Sequence, residues 1–288
     1  MAIMPVPAPN PPERSLFEFD AYSPAQITDM VERIGVAKAR MPLLAMCMLG
    51  VVAGGFIGLG ALFSVIVTSD TSLTFGVSRV LAGVAFSLGL ILVVIAGAEL
   101  FTGNNLLVMA WAERKITTAE VARNWAIVFI ANAVGAIGLA LIVWLANHGA
   151  MNEGAVGLQY VKIAAAKVNL PFWEAFFKGV LCNLLVCLAV WLSLAGHSVA
   201  DKILAIVFPI SAFVAAGFEH CIANLYFIPM GMLLAGSIPA GSVAGSNALN
   251  ASGLLSNLVP VTLGNIAGGS LMVALVYYVI YRVAPAKQ

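Results

Sequence analysis

The sequence predicts an all-α membrane protein of six transmembrane helices, arranged as an inverted 3+3 repeat with helices two and five interrupted. Three observations predict this fold. The 288 residues are 61% hydrophobic and only 9% charged, whereas about a quarter of the residues of a soluble protein are charged. Several apolar runs reach the ~20 residues that a helix needs to cross a bilayer. Two of these runs are broken by a similar polar motif, at 97–104 and at 217–224.

The N-terminal segment, 1–40, is expected to precede the first span on the cytoplasmic side. Its first 23 residues read as a flexible, proline-rich lead without the basic and apolar regions of a signal peptide. A short helix is expected at about 24–38, with an apolar face that includes Ile27 and Ile34. Such a helix is typical of a segment lying on the membrane surface. A soluble cap on the transmembrane domain is an equally open interpretation.

The transmembrane domain is expected at 41–282, with a polar tail at 283–288. Long apolar runs place its two repeats at about 42–145 and 172–281. The six spans are expected at about 42–68, 77–111, 124–145, 172–194, 203–234 and 254–281. The second span is expected to break at 97–104 and the fifth at 217–222, and a short helix is expected in the connection at 146–172.

Lysine and arginine fix the predicted orientation. Ten lie on the side of the two termini, namely Arg14, Arg33, Lys38, Arg40, Arg114, Lys115, Arg123, Lys202, Arg282 and Lys287. Four lie on the other side, namely Arg79, Lys162, Lys167 and Lys178. Cytoplasmic loops carry the excess of positive charge, so both termini are expected in the cytoplasm, in a membrane such as the bacterial inner membrane.

The two halves share polar residues at matching positions. Gly97, Glu99 and Asn104 have the spacing of Gly217, Glu219 and Asn224, and Asn124, Asn132 and Gly135 have the spacing of Asn257, Asn265 and Gly268. Each half has three spans, so the second half enters the membrane inverted. Paired broken helices in such repeats indicate a transport site near the midplane, because broken backbone at that depth must be buried or line a cavity.

His220 is the one histidine of the sequence within an apolar segment. Phe213, Gly217, His220 and Asn224 follow one side of a helix, and Phe86 and Leu90 share a face above the first break. This pattern predicts two apolar collars on a pathway, Phe86 with Phe213 outside and Leu90 with Leu100 further in, close to His220 and Thr102. Ordinary helix packing is the alternative explanation for these apolar residues.

Glu99 and Glu219 occupy matching places in the two breaks. Carboxylates at membrane depth are costly and usually have a role. We expect both to be structural, accepting backbone N–H groups that the breaks leave free; service as proton carriers is the alternative.

Five segments carry a resemblance to a known family. They are 85–92, 97–103, 178–191, 217–224 and 260–265, which read AFSLGLIL, GAELFTG, KGVLCNLLVCLAVW, GFEHCIAN and PVTLGN. In sequence and mutual spacing they resemble the formate–nitrite transporter family over about residues 25 to 283. Cys221 stands where a serine is common in that family.

The resemblance implies an aquaporin-like protomer in a homopentamer, with one pore in each protomer. It implies that His220 is the central pore histidine and Thr102 its hydrogen-bonding partner, between a Phe86–Phe213 constriction and a Leu90–Leu100 constriction. Lys167 and Asn183 match the family pair that attracts anions in the outer vestibule. Within the family, the sequence around Asn224 is most similar to formate channels, and nitrite or hydrosulfide remains the alternative substrate.

Other classes of protein fit the residues less well. The net charge of +1 gives no indication of a nucleic-acid partner, and the four cysteines have no C-x-x-C spacing. No G-x-S-x-G or H-E-x-x-H motif occurs, so we expect neither an enzyme nor a metal or cofactor site. A neutral-solute channel of aquaporin type would share the repeat, but its Asn-Pro-Ala motifs are absent.

A small anion crossing apolar collars loses its hydration, which is unfavourable for a bare charge. The conjugate acids of formate and nitrite would cross more readily. Histidine is the residue type that titrates near neutral pH. We therefore expect His220 to exchange or share a proton with the anion, or, alternatively, only to connect the two broken helices by a hydrogen bond.

Overall fold

The computed structural model describes residues 21–239 and 241–284. The predicted lead therefore lies almost entirely outside the described residues, as do the last four residues of the predicted tail. Within the described ranges, six helices are long and apolar enough to cross a membrane. An all-helical fold with six such helices agrees with the sequence prediction.

The helices follow the predicted order. They are α1 (Pro24–Ala39), α2 (Leu43–Thr68), α3 (Phe75–Ala96), α4 (Leu107–Ala112), α5 (Thr118–Leu145), α6 (Ala155–Val168), α7 (Phe172–Ala195), α8 (Val199–Ala216), α9 (Cys221–Leu234) and α10 (Ala251–Val283). A 3₁₀ turn, Gly103–Leu106, leads into α4. The last span, α10, is α-helical to Ile266 and largely π-helical beyond it, a change for which the sequence has no evident signal.

Two spans, the third and the fifth, begin at least four residues earlier than predicted. The third was expected from Asn124, yet α5 begins at Thr118 because Thr117 and Glu120 form a capping box. The fifth was expected from about residue 203, yet α8 begins at Val199, where Ser198 and Asp201 form a similar box. Reciprocal side-chain bonds satisfy the free N–H groups of a first turn, so polar residues belong to these helices.

The two breaks have the same local cause. Gly97 ends α3 with a φ of +80° and Gly217 ends α8 with a φ of +77°. Glycine reaches this left-handed region without a steric penalty, and a helix commonly ends there. The chain leaves each helix at the glycine of the motif, and a new helical segment starts a few residues later, at Gly103 and at Cys221.

Glycines bring α2 and α5 into backbone contact. A Cβ added to Gly54 would lie 2.0 Å from the carbonyl oxygen of Asn132, and one added to Gly135 would lie 1.9 Å from that of Val51. The contact recurs between α7 and α10, where a Cβ on Gly268 would lie 2.1 Å from the carbonyl oxygen of Val180. Small residues permit such close helix contact in membranes, and here the contact lies within one protomer.

The substitution Gly135→Ala tests this contact. The added methyl group would meet the carbonyl of Val51, so α2 and α5 must separate, and overpacking of this kind costs about 1–3 kcal/mol. We expect a lower unfolding temperature in detergent. Gly138→Ala, one turn along the same helix, is the control because nothing lies within 4 Å of its Cβ position. Equal stability of the two variants would contradict the backbone contact.

The helix α1 rests on the transmembrane domain. Its apolar residues Ile27 and Val31 pack in one cluster with residues of α4, α7 and α10, which supports the cap rather than the membrane-surface interpretation. Glu32 is fully buried and pairs with Lys115 and with Arg282 of α10. Burial acts to raise the pKa of the Glu32 carboxyl, but hydrogen bonds from these cations outweigh it and lower the pKa. The pairing therefore persists at neutral pH and weakens only as the pH falls through that lowered pKa.

Candidate functional site

Two cavities enter the transmembrane domain from opposite directions. The first, here called the α1-side cavity, has a volume of about 250 Å³ and lies between α1 and the first break. The second, the α6-side cavity, has a volume of about 260 Å³ and lies between α6 and the second break. Each break therefore lines a cavity, which is the condition for irregular backbone at membrane depth.

Apolar residues from both halves line the two cavities. The rings of Phe86 and Phe213 meet edge to face with centroids 5.5 Å apart, and both line the α6-side cavity. Leu90 and Leu100 are buried and line the α1-side cavity. The four residues predicted as collars thus lie in two groups, one lining each cavity.

His220 lies at the start of α9 and lines the α6-side cavity beside Phe213, its ring 6.1 Å away between centroids. Its Nδ1 accepts a hydrogen bond of 3.1 Å from the backbone N–H of Ala223. A neutral imidazole with an accepting Nδ1 carries its proton on Nε2. That nitrogen lies 3.0 Å from Oγ1 of Thr102 in the first break. The ring therefore donates to Thr102, and this contact joins the two broken helices.

Asn183 lies behind Thr102 rather than in a vestibule. Its buried Nδ2 lies 2.7 Å from Asn105 Oδ1, 2.7 Å from the carbonyl oxygen of Asn265 and 3.2 Å from that of Thr102, so its two N–H groups serve three acceptors. It is not among the residues lining the α6-side cavity. The structure thus separates Asn183 from Lys167, with which the resemblance pairs it, and places it where it holds the backbone that carries the Thr102 hydroxyl.

Glu219 holds a polar network beside the α6-side cavity. It accepts a hydrogen bond of 2.9 Å from Lys167 Nζ and one of 2.7 Å from Asn224 Nδ2. Asn224 also donates to Asn257, whose own amide donates to the carbonyl of Lys167. Lys167 Nζ lies 5.5 Å from the centre of the Phe227 ring. Lys167 therefore has a fixed position, and Glu219 balances its charge.

Glu99 holds the same network beside the α1-side cavity. It accepts from Lys38 Nζ at 2.6 Å and from Asn104 Nδ2 at 2.8 Å. Asn104 also donates to Asn124, whose amide donates to the carbonyl of Lys38. Lys38 lies at the end of α1 and was not among the site residues predicted from the sequence. The need of Glu99 for a cation matching Lys167 was the signal that could have found it.

Asn132 of α5 clamps the first break. Its Oδ1 accepts the backbone N–H of Phe101 at 2.9 Å. Its Nδ2 donates to the carbonyl of Glu99 at 2.9 Å and to that of Gly50 at 2.7 Å. One side chain thus satisfies three backbone groups and fixes the residue that precedes Thr102.

Asn265 of α10 clamps the second break in the same way. It accepts the N–H of Cys221 at 2.9 Å and donates to the carbonyls of Glu219 and Gly179 at 2.9 and 2.8 Å. The expectation that Glu99 and Glu219 accept free backbone N–H groups is therefore wrong. Asparagines perform that task, because an amide can both donate and accept, and the carboxylates bind lysine and asparagine side chains.

In the described ranges, no group of three histidine, cysteine, aspartate or glutamate residues could hold an ion. Cys47, Cys182, Cys187 and Cys221 are free thiols. Cys187 donates a long hydrogen bond of 3.4 Å to the carbonyl of Thr102, so it too supports that residue.

Comparison with known proteins gives concordant matches. A family model described as formate/nitrite transporter matches residues 25–279. The formate channel FocA of Escherichia coli (strain K12) is 42% identical over 272 residues, which cover 91% of this chain and 95% of FocA. A solved structure titled pentameric formate channel with formate bound is 37% identical with a TM-score of 0.76, covering 83% of this chain and 97% of that one. A second, titled FNT family ion channel, is 27% identical with a TM-score of 0.77, covering 88% and 98%.

Proposed function

The chain belongs to the formate/nitrite transporter family, as the resemblance predicted, and from this premise we propose that it transports formate. Members of this family are membrane transporters rather than enzymes. Its similarity to formate channels points to this substrate. The observation that carries the proposal is the Thr102–His220 contact, because His220 lines one cavity and the neighbours of Thr102, Leu100 and Gly103, line the other.

The contact offers a hydrogen-bond donor beside a hydroxyl group. Formic acid has a carbonyl oxygen that can accept from His220 Nε2–H and an O–H that can donate to Thr102 Oγ1. Between apolar collars the acid is far less costly to accommodate than the bare anion. A molecule that separates the two side chains can replace the hydrogen bond between them with two of its own. The site therefore suits a small carboxylic acid.

The geometry supports the sharing of a proton at His220 rather than its exchange. A neutral ring that released its Nε2 proton would become an anion in a buried site, which is very costly. Protonation at Nδ1 would break the hydrogen bond from Ala223 N–H that caps α9. The proton that accompanies formate then comes from water in the cavities. His220 donates a hydrogen bond to the passing molecule.

Lysines at the two cavities offer hydrogen-bond donors to an anion close to this boundary. Lys167 lines the α6-side cavity and Lys38 the α1-side cavity. A glutamate pairs with each lysine. The ammonium groups nevertheless keep N–H donors for an entering carboxylate, because an ammonium has three. Their presence favours an anion over the neutral solutes of aquaporin-type channels.

Matching hydrogen bonds in the two halves support an inverted 3+3 repeat of aquaporin-like organisation. Lysine, glutamate and two asparagines form one network at each break. The likeness to the pentameric channel supports a homopentamer with a pore in each protomer. The repeats span about 42–145 and 172–281 within a channel domain at 41–282.

The chain is an integral membrane protein, with six candidate spans in the part that the structure describes. The excess of lysine and arginine on the α1 side supports cytoplasmic termini. Segment 1–40 and tail 283–288 would then lie in the cytoplasm, with the domain in a bacterial inner membrane. The α6-side cavity would open outward.

Uptake into proteoliposomes tests the substrate. We expect labelled formate to enter faster than in empty liposomes and to be displaced less by nitrite or hydrosulfide than by unlabelled formate, because the site is shaped for a carboxylic acid. Preferred uptake of nitrite would favour the sister substrate within the family. Faster movement of glycerol than of either anion would favour a neutral-solute channel. No uptake above empty liposomes would contradict transport.

A further inference from the structure

We propose that Arg79 is the principal anion-attracting charge of the α6-side cavity and makes the affinity of the two cavities for formate unequal. The inference rests on the proposed function, since it assumes that anions enter by this cavity. It assigns a substrate-capturing role to Arg79, which was not among the site residues predicted from the sequence.

Arg79 lies in the first turns of α3 and lines the α6-side cavity with Phe86, Phe213 and His220. Its Nε donates to the carbonyl of Ala215 at 2.9 Å and its Nη2 to that of Val214 at 2.7 Å. These bonds use two of the five N–H donors of a guanidinium. Among the described residues, the other three have no hydrogen-bond partner and no carboxylate forms an ion pair with Arg79.

The other charges of this cavity are offset in pairs. Lys167 is bound to Glu219 at 2.9 Å and Lys178 to Glu174 at 2.6 Å. Each pair has no net charge. Arg79 binds only carbonyl groups, which carry no formal charge, so its positive charge remains. The field that an approaching anion meets therefore comes chiefly from Arg79.

The carbonyls that Arg79 binds belong to the end of α8, which has its own dipole. The C-terminus of a helix is equivalent to roughly half a negative charge. That value offsets only part of a full positive charge. The guanidinium thus neutralises a helix end that would otherwise repel anions and leaves a net positive potential.

The α1-side cavity lacks such a residue. Its lining in the described structure contains two charged groups, Lys38 and Glu99, and they pair with each other. The two halves of the sequence are offset by 120 residues, which is the separation of Gly97 and Gly217. The position of the second half that corresponds to Arg79 is therefore Val199, an exposed apolar residue. Among the described residues, no arginine donates to the carbonyls at the end of α3. One cavity is therefore positive and the other close to neutral.

Clefts lined by one sign of charge raise the local concentration of a counter-ion by tenfold or more. We therefore expect formate to saturate entry from the α6 side at lower concentration than entry from the α1 side. In Arg79→Gln the concentration for half-maximal entry from the α6 side should rise roughly tenfold at low ionic strength. The shift should shrink in 1 M salt, where the Debye length falls from about 30 Å at 0.01 M to about 3 Å.

The experiment measures formate entry into vesicles of each orientation, at low and high salt. Arg79→Lys keeps the charge and should stay close to the parent, which separates charge from the two-carbonyl contact. The double substitution Glu174→Gln with Lys178→Gln removes a pair that has no net charge, so its shift should be much smaller.

Three results would overturn the inference. The first is a half-saturating concentration that is unchanged in Arg79→Gln, and the second is a shift of equal size for entry from both sides. The third is a fall in the maximal rate, without a change in half-saturation, that occurs in both Arg79→Gln and Arg79→Lys. The last would mean that Arg79 only caps α8. The parent protein serves as the separate test of the proposed function, because absence of formate flux in it would contradict transport whatever the variants show.

Discussion

Replacing His220 with phenylalanine is expected to reduce formate flux by roughly ten- to a hundredfold. The variant loses the Nε2–H group that donates to Thr102 and, in the proposed mechanism, to the substrate. Leaving the buried carbonyl oxygen of the acid without a donor costs about 1–3 kcal/mol, and about 1.4 kcal/mol corresponds to a factor of ten. The measurement is the initial rate of formate uptake in proteoliposomes.

His220→Asn is the matched variant. Asparagine is a good N-cap residue and can replace Nδ1 as acceptor for Ala223 N–H, but its short side chain does not reach Thr102. We expect normal assembly and unfolding temperature with the same loss of flux. This result would separate a role in transport from the alternative, in which His220 only connects the two broken helices by a hydrogen bond.

The pH profile distinguishes the sharing of a proton from its exchange. If His220 only donates a hydrogen bond, both variants should reduce flux by the same factor at every pH, because the supply of neutral acid depends on the solution. A variant whose flux no longer varies with pH would show that the ring itself exchanges the proton. Flux equal to that of the parent in both variants would remove His220 from the mechanism.

Replacing Asn265 with leucine is expected to prevent stable folding or to lower the unfolding temperature severely. Leucine has a similar volume but leaves the N–H of Cys221 and the carbonyls of Gly179 and Glu219 without a partner. Each buried unsatisfied group costs about 1–3 kcal/mol. Three of them approach the ~5–15 kcal/mol stability of a typical protein. Yield and thermal unfolding in detergent provide the measurement.

Asn132→Leu should have a similar effect, because Asn132 serves the first break through the corresponding three groups. Asn247→Leu, in the exposed loop before α10, is the control for introducing leucine. If either clamp variant folded as well as this control, the breaks would be held by something other than the two asparagines.

The repeat explains why much of the site was predictable. Gly97, Glu99 and Asn104 recur at one spacing as Gly217, Glu219 and Asn224, so the sequence alone located both breaks. It also located Asn132 and Asn265, although not the bonds they make. Repeated polar residues in apolar segments are costly unless they bind one another, and the structure shows these partners.

What the sequence did not reveal depends on contacts between distant segments. Lys38 binds Glu99 across 61 positions, and Asn183 reaches Thr102 across 81. Neither pairing has a local pattern, because each depends on how α1 and α7 dock against the breaks. The partners of the two glutamates were mispredicted for the same reason: free backbone N–H groups are visible from a helix break, whereas a lysine on another helix is not.

The most direct test of the central proposal is formate flux under an imposed membrane potential. A potential of 100 mV changes the free energy of moving one charge across the membrane by about 2.3 kcal/mol. At about 1.4 kcal/mol per factor of ten, this is roughly a fortyfold difference in the flux of a charged solute between the two directions. Proteoliposomes with a potassium diffusion potential and equal pH on both sides provide the measurement. If formate crosses the boundary at His220 and Thr102 together with a proton, its flux should exceed that of empty liposomes and stay unchanged by the potential. Flux that follows the potential would contradict this mechanism, because it would show formate crossing as the bare anion.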